Sequence, residues 1–76
     1  PVPGIMLIPR GRYAVFRHTG SYSSLHKVYR SIYEEWLPKS KYHPQSTFSF
    51  EMYMNHPSTT ETSKLLTEIY IPVIRK

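Results

Sequence analysis

Two glutamates, each followed two residues later by a tyrosine, are the residues in this sequence best suited to binding or catalysis: Glu51 with Tyr53, and Glu68 with Tyr70. A carboxylate that is partly removed from water favours a positively charged ligand, because an unpaired buried charge is costly, and a tyrosine ring stacks on aromatic or cationic groups. A carboxylate among aromatic side chains could also act as a general base or nucleophile, because such surroundings raise its pKa. Both pairs are therefore candidates for ligand binding.

Both pairs lie in segments that are predicted to be β-strands, because apolar and amphiphilic residues alternate along them. In residues 47–55, TFSFEMYMN, one face would carry Phe48, Phe50, Met52 and Met54 and the other Ser49, Glu51, Tyr53 and Asn55. In residues 65–73, one face would carry Thr67, Ile69, Ile71 and Val73 and the other Leu66, Glu68 and Tyr70. A hairpin of the two strands would join the apolar faces under a helix and leave both glutamates on one open face. The alternative is an ordinary solvated sheet face.

The helix is predicted from an apolar stripe at spacings of three and four, formed by Leu25, Val28, Tyr29, Ile32, Trp36 and Leu37. Ser21 or Ser23 can provide the N-cap oxygen. Pro38 is predicted to end the helix, because the residue before a proline disfavours the α conformation. Residues 39–46 are polar and are predicted to be a loop.

Two further strands complete the prediction. Residues 12–18, RYAVFRH, are rich in β-branched and aromatic residues, which favours a strand. Residues 1–9 contain a short apolar stretch between prolines and are predicted to be an edge strand or an entry segment. The expected fold is a single α+β domain, an antiparallel sheet of strand, helix, strand, strand order with one helix on one face.

Two more aromatic residues are candidates for the ligand site. Tyr22, at the turn into the helix, could overhang the open face, and Trp36, near the end of the stripe, could form a wall on which a ligand stacks. The alternatives are an ordinary loop aromatic for Tyr22 and a core or rim aromatic for Trp36.

Composition excludes several classes of function. Ten Lys and Arg residues against five Glu give a net charge of +5, but they are spread along the chain, so nucleic acid is not the expected partner. Cysteine and aspartate are absent and no two histidines are four residues apart, which predicts no metal site and no Ser-His-Asp triad. The three glycines form no nucleotide-binding pattern, so no cofactor is expected. No apolar run is long enough to span a membrane, so a cytoplasmic protein is expected. A first residue other than methionine suggests a fragment or a processed product.

Four stretches, in this order and spacing, resemble the C-terminal half of GyrI-like domains: IPRGRYAVFRHTGSYSSL, IYEEWLPKS, FEMYMNHP and LLTEIYIPV. Such domains occur in DNA gyrase inhibitory proteins and as effector-binding domains of AraC-type and MerR-type transcription regulators. The resemblance implies two similar strand-helix-strand-strand halves with a ligand groove between them, of which residues 1–76 would be the second. A first half or a second copy would complete the groove, and only a separate domain would bind DNA.

The resemblance also implies roles for individual residues. In multidrug-binding members, a glutamate on the strand equivalent to FEMY meets the positive charge of the drug, and it matches Glu51; nearby aromatics match Tyr22 and Trp36, and Glu68 could be a second carboxylate. The expected function is a module that binds lipophilic, cationic effectors. One alternative is a hydrolase of cyclopropane-containing toxins with Glu51 as the acid-base or nucleophilic group. Another is a protein that binds DNA gyrase through its basic surface.

Overall fold

Five antiparallel strands and one helix form the fold in a computed structural model that describes residues 4–8, 11–45 and 49–76. The strands are β1 (Gly4–Ile8), β2 (Gly11–Thr19), β3 (Tyr42–Pro44), β4 (Phe50–Tyr53) and β5 (Leu66–Arg75). The sheet runs β1-β2-β5, and β3 and β4 both pair with the remaining edge of β5. The predicted α+β class, with an antiparallel sheet and one helix, is confirmed.

Three of the strand predictions agree with the structure. β2 covers the strand that was predicted at 12–18, and β5 covers all of the strand predicted at 65–73 except Leu65. β1 lies at the edge of the sheet beside β2. Residues 1–3 and 9 of the predicted first strand, and Thr47 and Phe48 of the predicted strand 47–55, lie outside the described residues.

The helix changes its pitch along residues 22–39. A 3-10 turn (Tyr22–Ser24) leads into α1 (Leu25–Ser31), a π-helical turn (Ile32–Trp36) and α2 (Leu37–Lys39). The hydroxyl of Ser21 accepts a hydrogen bond from the N–H of Ser23 at 3.1 Å, which confirms the predicted N-cap. Among the described residues no helix is both long enough and apolar enough to cross a membrane.

The helix ends one residue after Pro38 and not before it, contrary to the prediction. In a regular α-helix the ring of Pro38 would clash with the carbonyl four residues earlier. The π-helical turn widens the helix directly before the proline, and the N–H of Leu37 donates to the carbonyl of Ile32, five residues back. The wider turn lets the helix include the proline.

The helix and one face of the sheet enclose the hydrophobic core. Alternation along β2 and β5 directs Ala14, Phe16, Ile69, Ile71 and Val73 toward the helix, where Leu25, Ile32 and Leu37 cover them. Ala14, Ile69 and Ile71 are completely buried. The helix stripe and the inward face of β5 therefore have the role that the sequence pattern predicts.

One short strand was missed. β3 lies within residues 39–46, which were predicted to be a loop, and it pairs with the last residues of β5, so that Tyr42 faces Arg75 and Pro44 faces Val73. Three residues that include a proline are too few for a pattern of alternation to indicate a strand. The same edge of β5 then continues its pairing with β4, from Phe50 opposite Tyr70.

The predicted faces of β4 are wrong, and the spacing between β3 and β4 explains why. Five residues, 45–49, separate the two strands, whereas only Ile71 and Pro72 separate their partners on β5. The chain between β3 and β4 is thus three residues longer than the matching part of β5. Side chains alternate between the two faces with a period of two, and three is an odd number. Each residue of β4 therefore lies on the face opposite to the one it would occupy if the alternation of β3 continued without a break. Glu51 is therefore opposite the buried Ile69, on the helix side of the sheet, while Phe50 is opposite Tyr70 on the other side.

Candidate functional site

Glu51 accepts hydrogen bonds from two tyrosines. It lies on the edge strand β4, on the face of the sheet that the helix covers. Tyr29 of α1 donates its hydroxyl to Oε2 at 2.6 Å, and Tyr53 donates to Oε1 at 2.7 Å. The ring of Tyr22 packs against that of Tyr53, with centroids 5.1 Å apart. We call these four residues, Tyr22, Tyr29, Glu51 and Tyr53, the Glu51 cluster. Each carboxylate oxygen is thus held by one phenol.

Local structure explains how these side chains meet. Tyr53 lies two residues after Glu51 on the same strand and so shares its face. Tyr22 and Tyr29 are seven residues apart, which is about two helical turns, and they therefore project from the same side of the helix. Tyr29 follows the buried Leu25 by one turn, so its ring packs against the core while its hydroxyl reaches the sheet edge.

The electrostatics of the cluster keep its two hydrogen-bonded phenols neutral. Burial and the adjacent Glu51 carboxylate raise the pKa of Tyr29 far above its ordinary value, and the hydrogen bond to Glu51 raises the pKa of Tyr53. Both phenols therefore remain neutral donors at physiological pH. Among residues 4–8, 11–45 and 49–76, the salt bridges join Arg17 to Glu68 and Lys64 to Glu61, so Glu51 has no described cationic partner.

Replacing Glu51 by glutamine is expected to lower the pKa of both Tyr29 and Tyr53, because a neutral amide no longer repels the phenolate. A pH titration of phenolate absorbance in the near ultraviolet measures this shift, and the single variants Tyr29→Phe and Tyr53→Phe assign it. Glu68→Gln is the matched control, since it should lower only the pKa of Tyr70. Superimposable titration curves for Glu51→Gln and the unmodified chain would contradict the hydrogen-bonded cluster.

Glu68 and Tyr70 lie on the opposite face of the sheet, so the structure separates the four residues that were predicted to share one open face. Arg17 donates to Glu68 Oε2 at 2.9 Å, and Tyr70 donates to Oε1 at 3.1 Å. The hydrogen bond from Arg17 is the main cause that holds the pKa of Glu68 below its ordinary value. Glu68 therefore already has a cationic partner, which Glu51 lacks within the described residues.

The ring of Tyr70 is covered by other aromatic side chains. Phe50 stacks on it with centroids 4.7 Å apart and planes 8° apart. The ring of Tyr13 meets Phe50 edge to face at a centroid distance of 5.5 Å and Tyr70 at 6.3 Å. Only 7 % of Tyr70 is exposed. This face of the sheet is therefore not open to a ligand at Tyr70. Phe50, which was predicted to lie under the helix, covers the ring of Tyr70 instead.

Trp36 lies apart from the Glu51 cluster. Its ring meets Phe16 edge to face at 5.0 Å and stacks on Tyr42 with centroids 6.4 Å apart. It lines a cavity of about 620 Å³ between the helix and β2, and this cavity shares no residue with the Glu51 cluster. The contacts of Trp36 are thus those of the core or rim aromatic that was the alternative prediction.

Tyr29 is the residue of the cluster that sequence reasoning missed, since it was placed in the apolar stripe of the helix. One signal could have identified it. A tyrosine at a buried helical position needs a hydrogen-bond partner for its hydroxyl, and a glutamate on the facing strand can accept that bond. The structure brings the predicted Tyr22, Glu51 and Tyr53 together and adds Tyr29 to them.

A protein-family model matches almost all of the chain. The model of the GyrI-like small molecule binding domain matches residues 3–74, nearly the whole chain, and the match includes every residue of the Glu51 cluster. Small-molecule binding in general is the function that this family describes. On this match the chain belongs to the family of the GyrI-like small molecule binding domain.

Proposed function

We propose that the Glu51 cluster binds lipophilic organic cations, and that the chain serves as the effector-binding module of a transcription regulator. One observation carries the proposal. A partly buried carboxylate is held by two neutral phenols and has no cationic partner within the described residues. A charge in that setting gains more from a ligand cation than a fully solvated carboxylate would, because less water competes for it.

The aromatic rings make the cluster suitable for apolar cations in particular. Tyr22 and Tyr53 lie beside the carboxylate with their rings in contact, and 58 % of Tyr53 is exposed. The face of an aromatic ring attracts a cation, and its apolar surface favours an organic ligand over a hydrated metal ion. Binding is also favoured over nucleophilic catalysis, because hydrogen bonds from two phenols make the carboxylate oxygens weaker nucleophiles.

We also propose that residues 1–76 provide one half of the binding groove. β4, which carries Glu51, pairs only with β5 among the described residues, and half of Met54 beside it is exposed. A first half of the domain or a second copy of this chain would cover that side of the cluster. The stoichiometry of a calorimetric titration separates these cases, since pairing of two copies predicts one ligand for two chains.

Two probes of nearly the same shape and opposite charge test the charge preference. Tetraphenylphosphonium is expected to bind saturably, whereas tetraphenylborate should compete with it only weakly for the Glu51 cluster, because its negative charge is repelled by Glu51. Isothermal titration calorimetry with tetraphenylphosphonium, in the absence and presence of excess tetraphenylborate, measures the affinity of each ion for this site. Equal affinity for the two ions would show that binding is only hydrophobic and would overturn the proposed role of the carboxylate.

A further inference from the structure

The cavity beside Trp36 is separate from the Glu51 cluster. It borders β2, whereas Glu51 lies on β4, and β5 separates these two strands in the sheet. Its volume of about 620 Å³ is within the range of small-molecule pockets, roughly 300 to 1,000 Å³. β1 pairs with β2 only from Gly11 to Val15, so among the described residues no strand covers the edge of β2 where the cavity lies. The cavity is therefore large enough for a second ligand.

The inner wall of the cavity is apolar and aromatic. Its lining includes Phe16 from β2 and Val28, Ile32 and Trp36 from the helix. The rings of Phe16 and Trp36 are nearly perpendicular, at 87°, and Trp36 is only partly buried. A flat aromatic group could contact both rings, because edge-to-face and stacked arrangements are each favourable.

The lining of the cavity also includes two lysines without an acidic partner. Lys27 of α1 and Lys39 of α2 both line it, and neither has a carboxylate within salt-bridge distance in the described part of the chain. Glu35 also lines the cavity and lies four residues before Lys39, which partly balances that charge. Lys27 has no acidic residue three or four positions away, so no neighbour on the helix balances its charge.

We propose that this cavity is a second ligand site, which binds aromatic monoanions such as aryl carboxylates or sulfonates. The aromatic body lies against Phe16 and Trp36, and the acid group faces Lys27. Charge complementarity determines the sign of the ligand's charge, because the unpaired Lys27 repels the cations for which the Glu51 cluster is suited. The two sites therefore select ligands of opposite charge. Residues of the same helix contribute to both sites, and neither site depends on the other.

Naphthalenesulfonate is the probe that we would use, and Trp36 is the reporter, because it is the single tryptophan of the chain. Saturable quenching of its fluorescence is expected. Lys27→Gln should weaken binding by about threefold to fivefold, the effect of one solvent-exposed charge pair. Lys64→Gln is the matched control, since Lys64 is an exposed lysine that does not line the cavity. It should leave the affinity unchanged, as should Glu51→Gln.

A second variant tests the location. Ser31 is exposed at the cavity wall, so Ser31→Phe should fold normally, fill part of the cavity and abolish saturable quenching. The neutral analogue naphthylmethanol should bind more weakly than the sulfonate. Equal affinities of Lys27→Gln and Lys64→Gln, or of the sulfonate and the alcohol, would overturn the proposal. Because Glu51→Gln leaves this signal intact, failure here is distinguishable from failure of the cation site.

Discussion

Glu51→Gln is expected to weaken the binding of tetraphenylphosphonium by about tenfold to a hundredfold, the loss of one interaction between a charged group and its partner. The amide keeps the size of the side chain and can still accept one phenol hydrogen bond. It has no charge, however, and the ligand cation then meets only neutral groups in the cluster. Calorimetric titration of both proteins measures the ratio of the dissociation constants.

The matched control is Glu68→Gln, the same change on the opposite face of the same sheet. Glu68 is already paired with Arg17 at 2.9 Å, so its removal should leave the affinity for the cation within experimental error. This pair of variants separates the original prediction, in which both glutamates share a site, from the arrangement that the structure shows. An equal loss of affinity in the two variants would point to a general effect of net charge and would contradict a specific site at Glu51.

Ile71→Ala is expected to lower the free energy of unfolding by about 2 to 5 kcal/mol, the usual result of truncating a fully buried aliphatic side chain. Ile71 is 0 % exposed and lies in β5, between β2 and the strands on the other edge, directly under the helix. A chain of 76 residues buries a smaller share of its surface than a larger domain and is correspondingly marginal. The variant is therefore expected to be substantially unfolded at ambient temperature.

Ile74→Ala is the control for this prediction, because the same residue type lies three positions later on the same strand and is 47 % exposed. Its effect should stay within about 0.5 kcal/mol, as for most surface substitutions. Denaturant unfolding followed by the fluorescence of Trp36 measures both variants, since that ring packs against the core residue Phe16. Equal midpoints for the two variants would contradict the assignment of the core.

The reversed face of β4 has a functional consequence. If β4 continued the alternation of β3, Glu51 would lie on the face of Tyr70, away from the helix. The excess of three residues places it instead beside Tyr29, a helical residue whose hydroxyl then accompanies the carboxylate. The candidate site is therefore formed between the helix and the sheet edge, and not on an open sheet face.

Sequence by itself determined the main elements of this protein. The stripe from Leu25 to Leu37 indicated the helix and its buried side, and alternation along β2 and β5 indicated which residues face it. These patterns are reliable because each buried face must be apolar at the period of its own element. Glu51, Tyr53 and Tyr22 were also identified from residue type and resemblance, and the structure places them together.

Tertiary structure alone decided which partners Glu51 has. The apolar residues Phe50, Met52 and Met54 suggested a strand with its apolar face buried, yet each of the three side chains is at least 40 % exposed. A short edge strand has few neighbours, so its pattern constrains its orientation weakly, and its register is set by pairing with β5. The odd number of extra residues between β3 and β4 therefore determined the face of Glu51, its separation from Glu68 and its contact with Tyr29.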